Sequence, residues 1–118
     1  MSTEEVEQKE VKIDKYRIVL PKKWREELGI NKDTLLQELY HIGKNSIEFR
    51  KESDLKKPME LPAKHVSVFG TVDNIGRIKI SSEIREFIDL NDKNFKYLLK
   101  KAKGIIILVK KGRNNNAK

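Results

Sequence analysis

The amino-acid sequence predicts a mostly β protein with short helices, in which two tandem ββαββ units fold against each other as a pseudo-dimer. Three observations predict it. The chain repeats itself sixty residues apart: residues 17–51 lie over 77–111 without a gap. RIVLPKKWREELGIN falls on RIKISSEIREFIDLN, and IEFRK falls on ILVKK. Arg17/Arg77, Ile18/Ile78, Arg25/Arg85, Glu26/Glu86, Asn31/Asn91, Leu39/Leu99, Ile47/Ile107 and Lys51/Lys111 are identical pairs. A fixed period marks one structural unit used twice. The second observation is that the apolar runs are short, rich in β-branched residues and divided by Gly, Pro, Asn and Asp, as strands and turns require. The third is size: four short strands and one helical turn cannot bury a core alone, so the units need each other.

The elements follow in order. Residues 1–10 are polar and acidic, with Glu4, Glu5, Glu7 and Glu10 against Lys9, and predict a disordered leader. The first unit covers 11–51. Within it, 12–20 reads as a strand interrupted at Asp14–Lys15 and stopped by Pro21, which suits a first helical turn because its missing N–H has no partner there. Residues 22–28 form a short helix with Trp24 and Leu28 on one face, ended by Gly29. A turn at 31–33 leads to a hairpin of 34–42 and 46–51 around Gly43.

Residues 52–65, with two prolines, read as a linker. The second unit, 66–111, repeats the order: strands at 66–72 and 77–80, a tight link at 73–76, Ser81 as N-cap, a helix with Ile84 and Ile88 inward, then a hairpin of 94–101 and 105–111. Asp89 stands where Gly29 stood. Residues 112–118 are a polar tail.

Composition narrows the function. The chain of 118 residues has 26 Lys/Arg against 18 Asp/Glu, a net charge of +8. The excess lies in the second half: residues 1–52 balance eleven against eleven, and 53–118 carry fifteen against seven. Such a balance favours polyanionic partners, nucleic acid first. No cysteine is present, which excludes disulfides, thiolate zinc sites and cysteine catalysis. No apolar run approaches the length of a spanning helix, and the acidic start lacks a signal peptide's basic and apolar regions. The expectation is a soluble, cytoplasmic protein without cofactor, metal or small-molecule substrate. An enzyme finds no support, since no phosphate loop, carboxylate pair or Ser–His arrangement is visible.

The string G-R-I-x-I-P/S-x-x-I/W-R-x-x-L-G-I, opened by an aspartate and followed by a hairpin ending in basic residues, resembles the AbrB/MazE/SpoVT-like swapped-hairpin family. The resemblance covers about 11–51 and 71–111, so the chain resembles a tandem member. It implies a swapped-hairpin β-barrel formed by both units and binding to double-stranded DNA, as a nucleoid-associated transcriptional regulator or architectural protein. By position, it implies DNA contacts for Arg17 and Arg77 after the turns and for Arg25 and Arg85 in the helices. Unit two keeps the family's D-x-x-G-R element as Asp73, Gly76 and Arg77. Unit one has Asp14-Lys15-Tyr16-Arg17, one residue shorter, with Tyr16 in the glycine's place. Glu26 and Glu86 stand where the best-known members carry a second arginine.

Lys12, Lys15 and Lys79, on or beside the same strands, complete the candidate DNA-binding set. Arginine's planar fork can grip a phosphate or the guanine edge with two bonds, and lysine adds non-specific phosphate attraction. Each residue also has a structural reading. Arg25 and Arg85 could pair with Glu26, Asp33 or Glu86, and Arg17 and Arg77 could sit on a solvated strand face. Trp24 reads as core, because Ile84 is its equivalent. His41 and His65 read as surface histidines. The halves differ outside the identities: Lys15 matches Ile75 and Val19 matches Lys79, as an asymmetric reader would need. The alternative function is a protein-interaction module of antitoxin type. Further self-association through exposed edge strands stays open.

Overall fold

The computed structural model describes residues 7–51, 64–90, 95–102 and 104–113. The expectations for residues 1–6, the linker at 52–63 and the tail from 114 onward lie outside the described residues. The first unit comprises β1 (Glu7–Val11), β2 (Arg17–Val19), α1 (Lys22–Leu28), β3 (Leu35–His41) and β4 (Ser46–Lys51). The second comprises β5 (His65–Thr71), β6 (Arg77–Lys79), α2 (Ser82–Arg85), β7 (Phe95–Ala102) and β8 (Ile105–Arg113).

The first helix follows the sequence closely. Gly29 closes it at φ 70, where its N–H donates to the Glu26 carbonyl and the Ile30 N–H donates to that of Arg25. The second helix is a single turn. Its end residue Glu86 stays right-handed, and no glycine follows to close the helix as Gly29 does. Ser81 precedes it without the side-chain bond expected of an N-cap.

The strands form a six-stranded sheet in the order β1-β7-β8-β4-β3-β5 and a separate two-stranded ribbon, β2-β6. All pairs are antiparallel. The units interlace: β1 of unit one pairs with β7 of unit two, and β5 of unit two pairs with β3 of unit one. The two hairpins meet at β4–β8. The expected closed barrel is not formed. The hydrogen-bonded sheet is open at β1 and β5, because β2 and β6 are only three residues long and pair with each other alone.

The acidic start is also more ordered than expected. Glu7–Val11 runs along β7 with Glu7 opposite Lys101. The Glu7 carboxylate accepts a bond from the Trp24 indole N–H at 3.0 Å and lies 3.3 Å from Lys101, which also pairs with Glu27. Strand β1 is thereby fastened to both β7 and α1. Trp24 is core, as read from the sequence.

One core serves both units. Ile18, Leu20, Trp24 and Ile30 are buried, and so are their repeat partners Ile78, Ile80, Ile84 and Leu90. Beyond Leu90 the gapless repeat still sets the pairing within each hairpin, Leu39 with Glu48 and Leu99 with Leu108, but no longer the face that is buried. Ile47 and Phe49 face the core with Leu108 and Ile106 opposite them, whereas Ile107, the repeat partner of Ile47, is only half-buried and lies across from Glu48. Leu99 belongs to the core cluster, while its repeat partner Leu39 is buried outside it. The second hairpin is one residue out of phase with the first, and a one-residue slip exchanges the faces of a strand. The cause is the apolar pattern itself: Tyr97 and Leu99 alternate inward in unit two, and Leu36 and Tyr40 in unit one.

Glu38 is the exception inside this core. It lies on the core face of β3 between Val68 and Phe49, 1% exposed. Its Oε1 accepts the Ser81 N–H at 3.0 Å, and Oε2 has no partner among the described residues. Gly70 leaves room for it, since a Cβ there would stand 2.7 Å from Oε2. Burial pushes this carboxyl up to about 7, with the Glu83 charge adding and the Ser81 N–H opposing. The proton is thus held more tightly in the folded state, so Glu38 weakens the fold as pH rises from about 4.5 towards 7. Glu7 and Asp73, whose carboxyls are held below their ordinary values, act only at lower pH and with the opposite sign. Urea unfolding at pH 5 and pH 8 should therefore show a loss on the order of 3 kcal/mol. Glu38→Gln should abolish most of that difference; an unchanged pH dependence in the variant would refute this account.

Candidate nucleic-acid interface

The β2–β6 ribbon is the part of the molecule where the candidate residues gather. Its register sets Arg17 opposite Lys79, Ile18 opposite Ile78 and Val19 opposite Arg77. Ile18 and Ile78 are buried, so the alternation of a strand turns the other four side chains outward. The pair Ile18/Ile78 marks a pseudo-two-fold axis, about which Arg17 matches Arg77 and Val19 matches Lys79.

Two unlike turns lead into this ribbon. In unit one, Asp14 and Arg17 exchange both backbone bonds, at 3.1 and 2.9 Å, across a two-residue loop. Lys15 and Tyr16 there have φ 54 and 63, the pair of positive values that a type I′ hairpin requires. In unit two the loop holds Asn74, Ile75 and Gly76, with Gly76 at φ 87 in the left-handed position that ends a three-residue loop. The one-residue difference between the units is absorbed here. Tyr16 and Gly76 become equivalent: the Tyr16 carbonyl accepts the Ile80 N–H at 2.8 Å, and the Gly76 carbonyl accepts the Leu20 N–H at 2.9 Å.

Arg25 and Arg85 lie beneath these turns, each crossing to the other unit. The Arg25 guanidinium lies against Gly76, where an added Cβ would stand 2.4 Å from its central carbon, and its Nε donates to the Leu20 carbonyl at 3.0 Å. The Arg85 guanidinium lies 3.9 Å from the centre of the Tyr16 ring, a cation–π contact. Neither forms an ion pair with Glu26, Asp33 or Glu86 among the described residues. Both are half-buried supports of the turns that carry Arg17 and Arg77.

The two ribbon arginines are held differently. Asp73 receives the Arg77 backbone N–H at 2.8 Å, its Nε at 2.7 Å and the Ile75 N–H at 3.0 Å. These bonds, the Arg77 N–H foremost among them, hold the Asp73 carboxyl below its ordinary value. Arg17 has no ion pair among the described residues. Lys15 is exposed in its turn and Lys79 is exposed on the ribbon, while Lys12 follows β1 and is not part of the ribbon. The ribbon thus brings together Lys15, Arg17, Arg77 and Lys79. Sequence reasoning did not assign Val19 on the ribbon or Ile75 in its adjoining loop, 53% and 54% exposed, although their pairing with lysines in the repeat was visible. Nor did it foresee that Tyr16 and Gly76 seat the helical arginines. His41 and His65, distant in sequence, are direct cross-strand neighbours at the end of β3–β5.

Among the described residues, no three His, Asp or Glu side chains are grouped to hold a metal ion, and no helix is long and apolar enough to cross a membrane. No family model and no curated protein matches the chain. Among solved structures it is similar to the solution structure of PHS018 from Pyrococcus horikoshii, at 18% identity, over 94% of this chain and 95% of that one, with a TM-score of 0.44.

The tightness at Gly76 is testable. Gly76→Ala places a Cβ at φ 87 and against Arg25, and left-handed geometry in a non-glycine residue costs about 1–2 kcal/mol. Thermal or urea unfolding should show a loss of that size. Because the guanidinium can swing aside while the backbone cannot, the double variant Gly76→Ala/Arg25→Ala should not recover it. Full recovery would place the conflict in the side chain instead.

Proposed function

We propose that this protein binds double-stranded DNA through the outward face of the β2–β6 ribbon, as a transcriptional regulator or nucleoid-associated architectural protein. In this reading its two units are AbrB-like and interlace as swapped hairpins within one chain, around a sheet that stays open at β1 and β5. The observation that carries it is the placement of Arg17 and Arg77 about the Ile18/Ile78 axis, with Lys15 and Lys79 beside them. A duplex presents two phosphate rows around a groove, and symmetric cations on a protein match that pattern. The major groove is wide enough to admit a two-stranded ribbon. The net charge of +8 supplies long-range attraction for a polyanion.

Each element of the site has a role in this reading. Arg17 and Arg77 grip phosphates or guanine edges; Lys15 and Lys79 neutralise neighbouring phosphates; Lys12 adds charge at the periphery. Arg25 and Arg85 act as positioning residues, since they brace the turns from which the ribbon starts.

Fluorescence anisotropy of a labelled mixed-sequence duplex across several salt concentrations tests the proposal. Contacts with about four to eight phosphates make log K fall with log salt at a slope of roughly −4 to −7. The double variant Arg17→Ala/Arg77→Ala should weaken binding and flatten the slope by about 2. The reading fails if no duplex binds at low salt, or if the variant binds with the same slope as the native chain.

A further inference from the structure

The two ends of the ribbon are chemically unlike, and we infer that the end built by Val19, Ile75 and Arg77 recognises the thymine 5-methyl group, so that the two halves of a DNA site are read unequally. The inference rests on the DNA-binding reading above and adds to it the base chemistry that one half selects.

The pseudo-two-fold axis matches Arg17 with Arg77, but it matches exposed Val19 with exposed Lys79 and exposed Ile75 with exposed Lys15. One end therefore presents Lys15, Arg17 and Lys79, three cations with no aliphatic residue at the matching positions, and the Tyr16 ring of its turn carries the Arg85 guanidinium. The other presents one arginine with two aliphatic side chains. Val19 is directly across from Arg77, and Ile75 belongs to the loop that closes onto Arg77. The backbones adjoin at this point through the Leu20 N–H, which donates to the Gly76 carbonyl at 2.9 Å. A single exposed aliphatic residue is ordinary. Here two, 53% and 54% exposed, stand beside one cation, Val19 across the ribbon from it and Ile75 in the adjoining loop.

Their surroundings fix what they can contact. Asp73 holds Nε of Arg77 at 2.7 Å and its backbone N–H at 2.8 Å, which aims the guanidinium and leaves its two terminal nitrogens for an acceptor. Phosphates offer nothing to an aliphatic side chain. On the major-groove edge of the bases the apolar group is the thymine methyl, and aliphatic contact with it is a direct means of sequence discrimination. Arg77 therefore supplies the polar anchor and Val19 and Ile75 the apolar reader. The opposite end, with no such residue, holds the backbone and discriminates less.

Removing the methyl group without changing the hydrogen-bonding edges tests this. The native chain is titrated against an alternating dA·dT duplex and an alternating dA·dU duplex, beside Val19→Ser/Ile75→Ser. One buried methyl is worth a factor of about four and two about fifteen, so the native chain should favour the thymine duplex by that range. The variant should bind both duplexes alike, near the native affinity for the uracil duplex. Where the serine pair impairs folding, Val19→Thr/Ile75→Thr keeps the branched shape and should show a reduced preference. An equal affinity of the native chain for both duplexes overturns the inference and leaves DNA binding standing. A preference that survives in the variant overturns it too, because duplex shape would then be its source. Absence of binding to either duplex at low salt refutes DNA binding itself.

Discussion

The packing of Ile18 on Ile78 is the contact on which the rest of the molecule depends. Strands β2 and β6 are three residues long and, among the described residues, pair only with each other. They can stay together only if their inward side chains are held in the shared core, and both isoleucines are almost wholly buried there. The strand before each of them pairs with the other unit: β1 meets β7 and β5 meets β3. Neither unit keeps its own first strand, so neither has a complete sheet alone. Burial of the ribbon and completion of the sheet therefore both need residues of the two units.

The ribbon also explains how the two units tolerate different turns. A two-residue loop and a three-residue loop both deliver a carbonyl to the opposite strand, from Tyr16 in one case and Gly76 in the other. What changes is the seat offered to the arginine below. Gly76 has no side chain, so Arg25 comes against the backbone and bonds the Leu20 carbonyl. Tyr16 brings a ring, so Arg85 lies on its face instead, and its buried Nε has no acceptor among the described residues. The tyrosine adopts a left-handed backbone that glycine would enter more easily. The ring contact is a return for that strain that a glycine could not give.

Much of this was legible in the chain because the signals were local. Pro21 and Gly29 bracket α1, and the short branched runs mark the strands of both hairpins. The rest depends on long-range pairing. Glu7 to Glu10 carry no strand signal of their own, and become a strand because β7 offers an edge and because Trp24 and Lys101 hold Glu7. Leu39/Leu99 and Ile47/Ile107 align by identity, yet the hairpin phase differs, because packing selects for which face is apolar and not for which letters repeat. Glu38 stood among apolar residues without declaring its side, since a carboxylate reads as solvent-facing until its partner Ser81, far along the chain, is known. For the site, the ribbon cations were legible as a repeat. The braces beneath them were not, because they cross between the units.

The same geometry separates the residues that hold the fold from those free to change. Inward positions on the ribbon and helices must fill one shared core, and they remain aliphatic or aromatic in both units: Ile18 with Ile78, Leu20 with Ile80, Trp24 with Ile84. Outward ribbon positions meet no such demand. Arg17 and Arg77 are nevertheless the same, whereas Val19 and Lys79 differ. Packing cannot account for an identity between two outward, half-exposed arginines, since any solvated side chain would satisfy the strand there. Nor does a common ion pair account for it, because Asp73 holds Arg77 and no acid holds Arg17 among the described residues. An external partner that meets both ends of the ribbon gives a physical reason for the identity. A partner whose two halves differ gives a reason for the divergence beside it. In the proposed reading, duplex DNA, with phosphates on every repeat and bases that vary beneath them, would meet both conditions at once.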